Sequence, residues 1–415
     1  MPVDIYHERM FYRFALYGFL KNLKFYEPFI ILYFLSVGLS YAMIGALVSI
    51  HMISTTLLEL PTGIYADAFG RKKSMLMSFS SYITSFIIFF FFRDFYVFAT
   101  TMVLYALGDA FRIGTHKAMI LEYLRINDMK DKKVEYYGHT RAASQFGSAV
   151  NSLTAAAIVF YTGDYAIIFL VAIIPYMIDI LNVGTYPTEL DGERKKGMMR
   201  GQLYDTLKAF AGMFRNRNAM KGILNSSFSD GSFEVSKNYL QPIVKSFALS
   251  MPVFLFLTGE ERTAIVIGMV YFFIYVLTSL ASKNSHKIMG KIGKLPLAIN
   301  VTFIGSSLII LMTGVFLIGT KQTGINYLIL LSIVLFLLLY LFKNLRRPMN
   351  VSYISDQISH RTMASGLSAE SLMKALIAGI LAPLIGYAAD LYGVGIALAI
   401  LGLLAVSFYP IAHVE

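Results

Sequence analysis

Gly63–Lys73 reads GIYADAFGRKK: two glycines, one aspartate and three consecutive cations set between two long apolar stretches. The local chemistry explains why an apolar chain pauses there. Asp67 is an anion near the end of an expected helix, and Gly70 permits a tight turn directly after it. Arg71 is suited to donate to exposed helix-terminal carbonyls, or to grip a carboxylate with two parallel hydrogen bonds. Gly63 allows a second helix to come close. A cluster of this kind ties helix ends together on one face of a bundle. It makes a latch that is closed in one conformation and open in another.

Outward from this turn the chain is apolar almost everywhere. Of its 415 residues 56% are hydrophobic and 15% charged, with mean hydropathy +0.62; a soluble protein is about 25% charged. One soluble core cannot hide that much apolar surface. Runs long enough to span a bilayer, about 20 residues each, number twelve: 12–37, 40–66, 74–93, 95–122, 137–161, 165–187, 217–247, 263–284, 295–319, 325–346, 362–389 and 392–412. The tenth, with LILLSIVLFLLLYLF (Leu328–Phe342), is the plainest. The fold class is therefore all-α integral membrane, with twelve transmembrane helices. The first run is too long and too mixed with charge (Lys21, Lys24, Glu27) for a cleavable signal, and is expected to remain as a helix.

The net charge is +11. On a soluble protein this would suggest nucleic acid; here the positions point to membrane topology, and no nucleic-acid partner is expected. Arg71, Lys72 and Lys73 follow the second run, Arg125, Lys130, Lys132 and Lys133 the fourth, and Arg194, Lys195, Lys196, Arg200, Lys208, Arg215 and Arg217 the sixth. Lys283, Lys287, Lys291 and Lys294 follow the eighth, and Arg346, Arg347 and Arg361 the tenth. The opposite connections carry only Arg93, Arg262 and Lys321. By the positive-inside rule the basic connections and both termini are cytoplasmic, which places the chain in the plasma membrane as a multi-pass protein. The lack of Cys excludes disulfides and thiol chemistry, and without Trp any interfacial belt falls to Tyr and Phe.

The longest connection divides the chain into 1–189, a linker 190–217 and 218–415. In the linker, GQLYDTLKAFAGMF (Gly201–Phe214) places Leu203, Leu207, Phe210 and Phe214 at helical spacing, the pattern of an amphipathic surface helix. The two halves echo each other. FYEPFI (Phe25–Ile30) resembles YLQPIV (Tyr239–Val244) in depth and in its proline. GIYADAFG (Gly63–Gly70) recurs as GYAADLYG (Gly386–Gly393), both fitting G-x-x-A-D-x-x-G, at opposite membrane faces, as an inverted-topology repeat requires.

At this point GIYADAFGRKK resembles the signature of the major facilitator superfamily between its second and third helices, G-x-x-x-D-x-x-G-R-[RK]. Gly63, Asp67, Gly70, Arg71 and Lys72 match it residue by residue. The run count, the long basic middle connection and the inside termini agree over the whole chain. The resemblance implies two six-helix bundles around one central cavity, alternating access by rocking, and a latch in which Asp67 and Arg71 bridge the bundles on the cytoplasmic side of the outward-open state. The corresponding segment Ser282–Lys294 is basic but lacks the Asp, so the latch is one-sided. Drug exporters of this family carry Gly-Pro in the fifth helix and a lone Arg in the outer half of the fourth. Here those places read RAASQFGSAVNSLTAAA (Arg141–Ala157) and Thr101–Tyr105, which weighs against a drug/proton antiporter.

Ionisable groups inside a bilayer cost at least about 2.5 kcal/mol each on insertion scales, so each is a site candidate. Lys24 and Glu27 in the first run are three apart and able to pair. Asp109, Arg112 and His116 in the fourth form one helical stripe, with two groups that exchange protons and one that keeps its charge. Asp230, Glu234 and Lys237 line the seventh, where Gly231 and Pro242 allow a bend. Glu370 and Lys374 lie four apart in the eleventh, Gln145 and Asn151 are polar groups of the fifth, and His51 is a lone histidine of the second. The family's first, fourth, seventh and tenth helices line its cavity, so the resemblance supports a functional reading of the first three sets. Two His-x-x-Met pairs (His116/Met119, His286/Met289) suit soft metals, but Met is also ordinary filler, and no metal site is assigned. There is no nucleotide-binding G-x-x-x-x-G-K-[ST] and no hydrolase or metalloprotease spacing, so neither an ATP-driven pump nor an enzyme is expected, and no cofactor.

The leading expectation is a monomeric, proton-coupled secondary transporter of a small charged or polar organic solute. Lys24, Arg112, Lys237 and Lys374, with Gln145 and Asn151, would bind the solute; Glu27, Asp109, His116, Asp230 and Glu234 would carry protons. Carboxylates serve sodium as well, so the coupling ion stays open. The alternatives are a multidrug-type proton antiporter and a transporter-like membrane sensor without flux.

Overall fold

The computed structural model describes residues 8–192, 216–252, 254–292, 294–358 and 363–415, the stretches 282–292 and 363–365 by their backbone alone. The segment Gly201–Phe214 and Arg361 lie outside the described residues. Among the described residues there are fifteen α-helices and no strand. In order they are α1 (Arg9–Leu20), α2 (Ile30–Ser36), α3 (Tyr41–Phe69), α4 (Arg71–Phe91), α5 (Phe95–Arg112), α6 (Thr115–Ile126), α7 (Lys133–Thr162) and α8 (Ile167–Gly184), then α9 (Arg217–Ser236), α10 (Leu240–Ser250), α11 (Gly259–Ile292), α12 (Leu295–Thr323), α13 (Tyr327–Gln357), α14 (Met363–Tyr392) and α15 (Val394–Ala412). A bilayer core offers no water to backbone polar groups, and helices satisfy them internally. Large apolar side chains such as Phe91, Leu181, Ile380 and Leu403 stand exposed on the helices, where lipid tails are their natural solvent.

Nine described helical segments are long and apolar enough to cross a membrane. The first, fifth and seventh of the twelve expected runs are helical too, but interrupted or too polar to meet that measure. The first breaks over residues 21–29, where Pro28 withholds an N–H and disfavours helix at the residue before it. The seventh is interrupted by a 3-10 turn at Lys237–Tyr239, one turn ahead of Pro242. The fifth, α7, carries Thr140, Ser144, Gln145, Ser148, Asn151 and Ser152 along its length. The fourth run is also two helices, α5 and α6, divided at Ile113–Gly114, so the expected Asp109–Arg112–His116 stripe is kinked before its last member. Two expected connections are helical instead. The basic segment from Ser282 continues α11 to Ile292, and α13 runs through Arg346, Arg347 and Pro348 to Gln357.

The residues divide into two compact units, one of 1–30 and 54–199 and the other of 31–53 and 200–415, so that the division falls within α3. In the first unit α4 packs on α5 and α8, and α1 on α7 and α8. Hydroxyls and glycine bring α4 and α5 together: Ser78 Oγ donates to the Gly108 carbonyl at 2.6 Å, and a Cβ at Gly108 would stand 3.0 Å from the Tyr82 ring. Tyr26, Tyr82, Phe86, Tyr105 and Tyr176 form a linked aromatic core, where Tyr26 and Tyr105 join hydroxyls at 2.7 Å.

In the second unit α12 packs on α13 and α15, and α9 on α14. The break before α2 is closed by Gln241, whose Oε1 accepts the Ile31 N–H at 2.8 Å. Arg346 does not lie in a cytoplasmic loop as expected: it is 1% exposed, and its guanidinium donates to Asn225 Oδ1, the Ile299 carbonyl and Thr302 Oγ1 at 2.7 to 2.9 Å. Three acceptors make that burial tolerable.

Candidate functional site

The first unit holds a cleft of about 760 Å³ between α1, the α5–α6 turn and α7. Its charged lining is entirely cationic: Lys21, Arg112, Lys117, Lys133 and Arg141, joined by His116, with no carboxylate among the lining residues. Tyr17, Tyr137, Ser144 and Gln145 add ring faces and neutral hydrogen-bonding groups. The His116 ring stacks on Tyr17 with centroids 3.8 Å apart and meets Phe14 edge-on, so it is fixed as one wall. At the back of the cleft Arg112 is held by two neighbours. Its guanidinium donates to Asp109 Oδ1 at 2.9 Å and its Nε to the Tyr82 hydroxyl at 3.0 Å, while that hydroxyl donates to the same Asp109 oxygen at 2.5 Å. An aspartate, an arginine and a phenol thus form one hydrogen-bonded triangle. Arg112 is placed rigidly, and Asp109 offsets its charge within the protein.

Three sequence candidates, Arg112, His116 and Gln145, share this cleft, and Asp109 supports it from behind. Asn151 does not line it; at 1% exposure it is buried in the helix contacts of α7. Lys24 and Glu27 sit on the turns between α1 and α2, where no Lys24–Glu27 ion pair forms; the break in the helix removes the expected facing. Lys21, which the sequence placed within the first run, and Lys117, Lys133 and Arg141, near the ends of the fourth and fifth runs, are the cations the structure adds.

The second unit has its own charge cluster. Glu234 on α9 pairs with Lys237, and with Lys343 on α13 at 3.0 Å. Lys343 also stands 4.2 Å from the Phe233 ring centre. Lys374 acts on Glu234 through its field. The expected local pair of Glu370 with Lys374 does not form: Glu370 is taken by the Ser226 hydroxyl, to which Asn350 also donates. Asp230 stands half-buried on the same helix, with no ion pair among the described residues. Lys343 was hidden from the sequence reading because it falls at the end of an apolar run and reads as a membrane-edge cation.

The turn that opened the sequence is clasped from the far end of its own unit. The Asp191 carboxylate accepts the Lys72 backbone N–H at 2.8 Å at the start of α4, and Lys72 Nζ donates to the Tyr186 carbonyl at 3.0 Å. Arg71 reaches the carbonyls of Ala118 and Leu190 and lies 3.9 Å from Glu122. Gly70, Arg71 and Lys72 are therefore brought together. Asp67 is exposed, with no hydrogen bond or ion pair of its carboxylate among the described residues, and a Cβ at Gly63 would meet nothing within 4 Å. Among the described residues no helix makes the close approach expected at Gly63. Asp191, Glu122 and Tyr186 are the partners that sequence spacing did not give.

Comparison with known proteins places this architecture. The profile of the Major Facilitator Superfamily matches residues 15–373, and the chain belongs to that family of transporters. Its fold matches solved structures over nearly the full length. A mutant of the nucleoside transporter NupG superposes with a TM-score of 0.79 at 15% identity, covering 97% of this chain and 99% of that one. A POT family transporter in complex with 5-aminolevulinic acid gives 0.72 at 15% identity, covering 97% and 95%. A mutant peptide transporter POT in complex with alafosfalin gives 0.71 at 13%, covering 98% and 95%. No curated protein sequence matches the chain. At these identities the structural likeness carries the fold alone: all-helical, multi-pass and membrane-embedded.

Proposed function

We propose that the chain is a secondary active transporter that moves a small organic anion across the plasma membrane by alternating access, coupled to protons, with both termini cytoplasmic and the protein monomeric. The observation that carries the charge of the solute is the cleft of the first unit, which gathers six basic side chains and no carboxylate around about 760 Å³. Cations that outnumber the carboxylates around them repel one another, and an anion relieves that repulsion. Arg112 offers a planar donor fork, held in place by Asp109 and Tyr82, and Gln145 and Ser144 are suited to a solute's neutral polar groups. In the second unit Lys237 and Lys343 are the anion-contacting candidates, joined by Lys374, and Glu234, which bridges two of the lysines, is the candidate to take a proton when an anion draws those lysines away. Asp109, His116, Asp230 and Glu27 complete the proton-exchanging candidates, and Gly63, Asp67, Gly70, Arg71 and Lys72 remain the proposed conformational latch.

A thermal-shift screen of the purified protein tests the reading. Sulfate, ethanedisulfonate, succinate, benzoate and adenosine monophosphate would be compared with lipophilic cations, beside the Arg112→Ala variant. A ligand of the folded state raises apparent stability by mass action, about 2.7 kcal/mol at a hundredfold excess over Kd. An anion is expected to stabilise the wild type and not Arg112→Ala. Stabilisation by lipophilic cations alone would reverse the assigned charge and favour a drug antiporter.

A further inference from the structure

The middle of α8 carries a carboxyl group that no part of this reading uses. Asp179 stands in IIPYMIDILNVG with no accessible surface, and among the described residues neither of its oxygens has a hydrogen-bond partner within 3.5 Å. Asn182, one turn on, gives its amide to the Arg13 carbonyl, and from there also acts on the Asp179 carboxylate. A carboxylate held this way in a bilayer bears the full cost of desolvation, several kcal/mol, and a neutral carboxyl bears far less. Asp109 is in the opposite condition, with a guanidinium and a phenol on one oxygen.

The cations whose fields reach Asp179 are Arg112, from the end of α5, and Lys21, from the turn after α1. Both line the cleft. The phenols acting on it are those of Tyr17 on α1, Tyr176 on α8 itself and Tyr186 just beyond it. The elements α4 and α7 also pack on α8, yet no charged group of theirs is among those that act on it. The charges that favour the ionised form of Asp179, beside the Asn182 amide, are thus the same two cations that an anion in the cleft would use.

Resting on the anion reading of the cleft, we propose that Asp179 is a proton-binding site coupled to anion occupancy. An anion on Lys21 and Arg112 withdraws those cations from the carboxylate, which then takes up one proton from solution; release of the anion returns the field and expels the proton. One proton accompanies each anion, and the linkage is reciprocal: lower pH tightens anion binding to the same extent that binding takes up protons.

The test uses sulfate and ethanedisulfonate, whose own charge is constant near neutral pH, on the full-length protein with carbon-13 aspartate. Infrared difference spectra are recorded on adding the anion, beside affinities at several pH values. The wild type is expected to gain a protonated-carboxyl band that shifts with the label, and its affinity to rise up to about tenfold per unit fall in pH, the limit for one linked proton. Asp179→Asn should bind the anion and lose both the band and the pH slope. If that variant does not fold, Lys21→Gln in the wild-type carboxyl background should reduce the band's response. Anion binding with no aspartate band and no pH slope overturns the role of Asp179 and leaves the cleft reading intact. Equal behaviour of the wild type and Arg112→Ala toward both anions overturns the cleft reading, and this proposal with it.

Discussion

The two copies of G-x-x-A-D-x-x-G share a backbone and differ in what their aspartates hold. In both, the last glycine is the single residue between two helices: Gly70 joins α3 to α4 at φ 107° and ψ 141°, and Gly393 joins α14 to α15 at φ 92° and ψ 160°. Each donates its N–H to the carbonyl of the motif's alanine, Ala66 at 3.0 Å and Ala389 at 2.9 Å. Residues with a Cβ avoid that region, so the glycine is a requirement of the turn. The aspartates then diverge. Asp390 accepts the N–H groups of Tyr41 and Ala42 at 2.8 and 2.9 Å and so caps the start of α3, where the first glycine, Gly386, lies so close that a Cβ would be 2.3 Å from the Tyr41 carbonyl oxygen. Asp67 is exposed and Gly63 faces open space, while Asp191 caps α4 in the neighbouring position. The motif therefore fixes a turn, and the partner of its aspartate is a separate property of each site.

Substitutions sharpen that contrast, read as apparent thermal stability of the purified protein. Gly386→Ala should cost most, about 1–3 kcal/mol or more, because the obstacle is backbone and the two helices must part. Gly70→Ala follows. Its φ alone costs about 1–2 kcal/mol, and the new Cβ would stand 2.4 Å from an Asp191 oxygen that is free to shift only by loosening the α4 cap. Asp390→Ala should lose about 1–2 kcal/mol with its helix cap. Asp67→Asn is expected to leave stability unchanged and to alter conformation: in this Cys-free chain, single cysteines introduced on the proposed cytoplasmic side should label differently as the outward-open population falls. Equal losses at Gly63 and Gly386 would break the comparison, and unchanged labelling would remove the latch.

The sequence reading reached the class of protein through few residues. Apolar runs and the five matched residues from Gly63 to Lys72 are local properties, so the helical membrane fold and its family were legible without coordinates. The site was legible only where polarity was conspicuous. Arg112 and His116 stood out in an apolar run, and Glu234 and Lys237 lay at helical spacing. What failed was continuity. The helix breaks at residues 21–29, Ile113–Gly114 and Lys237–Tyr239 change which face each charge presents, and periodicity assumes an unbroken helix. Lys343 and Arg346 read as membrane-edge cations because the length of α13 was underestimated. Asp179 satisfies the same rule that selected Asp109, an ionisable group in an apolar run. It carries no charged neighbour at helical spacing, so only the fold, which packs α1 and α4 on α8, reveals the cations it answers to. Asp191 lies far along the chain from the turn it caps, and nothing local announces that contact.

The central claim is that the cationic cleft carries an organic anion together with protons. The most direct measurement is flux into proteoliposomes of the anion that stabilises the purified protein best, under an imposed pH gradient, for the wild type and Arg112→Ala. The account predicts accumulation of the anion along the proton gradient, collapse of accumulation when the gradient is dissipated, and loss of at least about tenfold in Arg112→Ala, the equivalent of one charge-assisted hydrogen bond. Anion binding without flux, or flux that ignores both the gradient and Arg112, would contradict it.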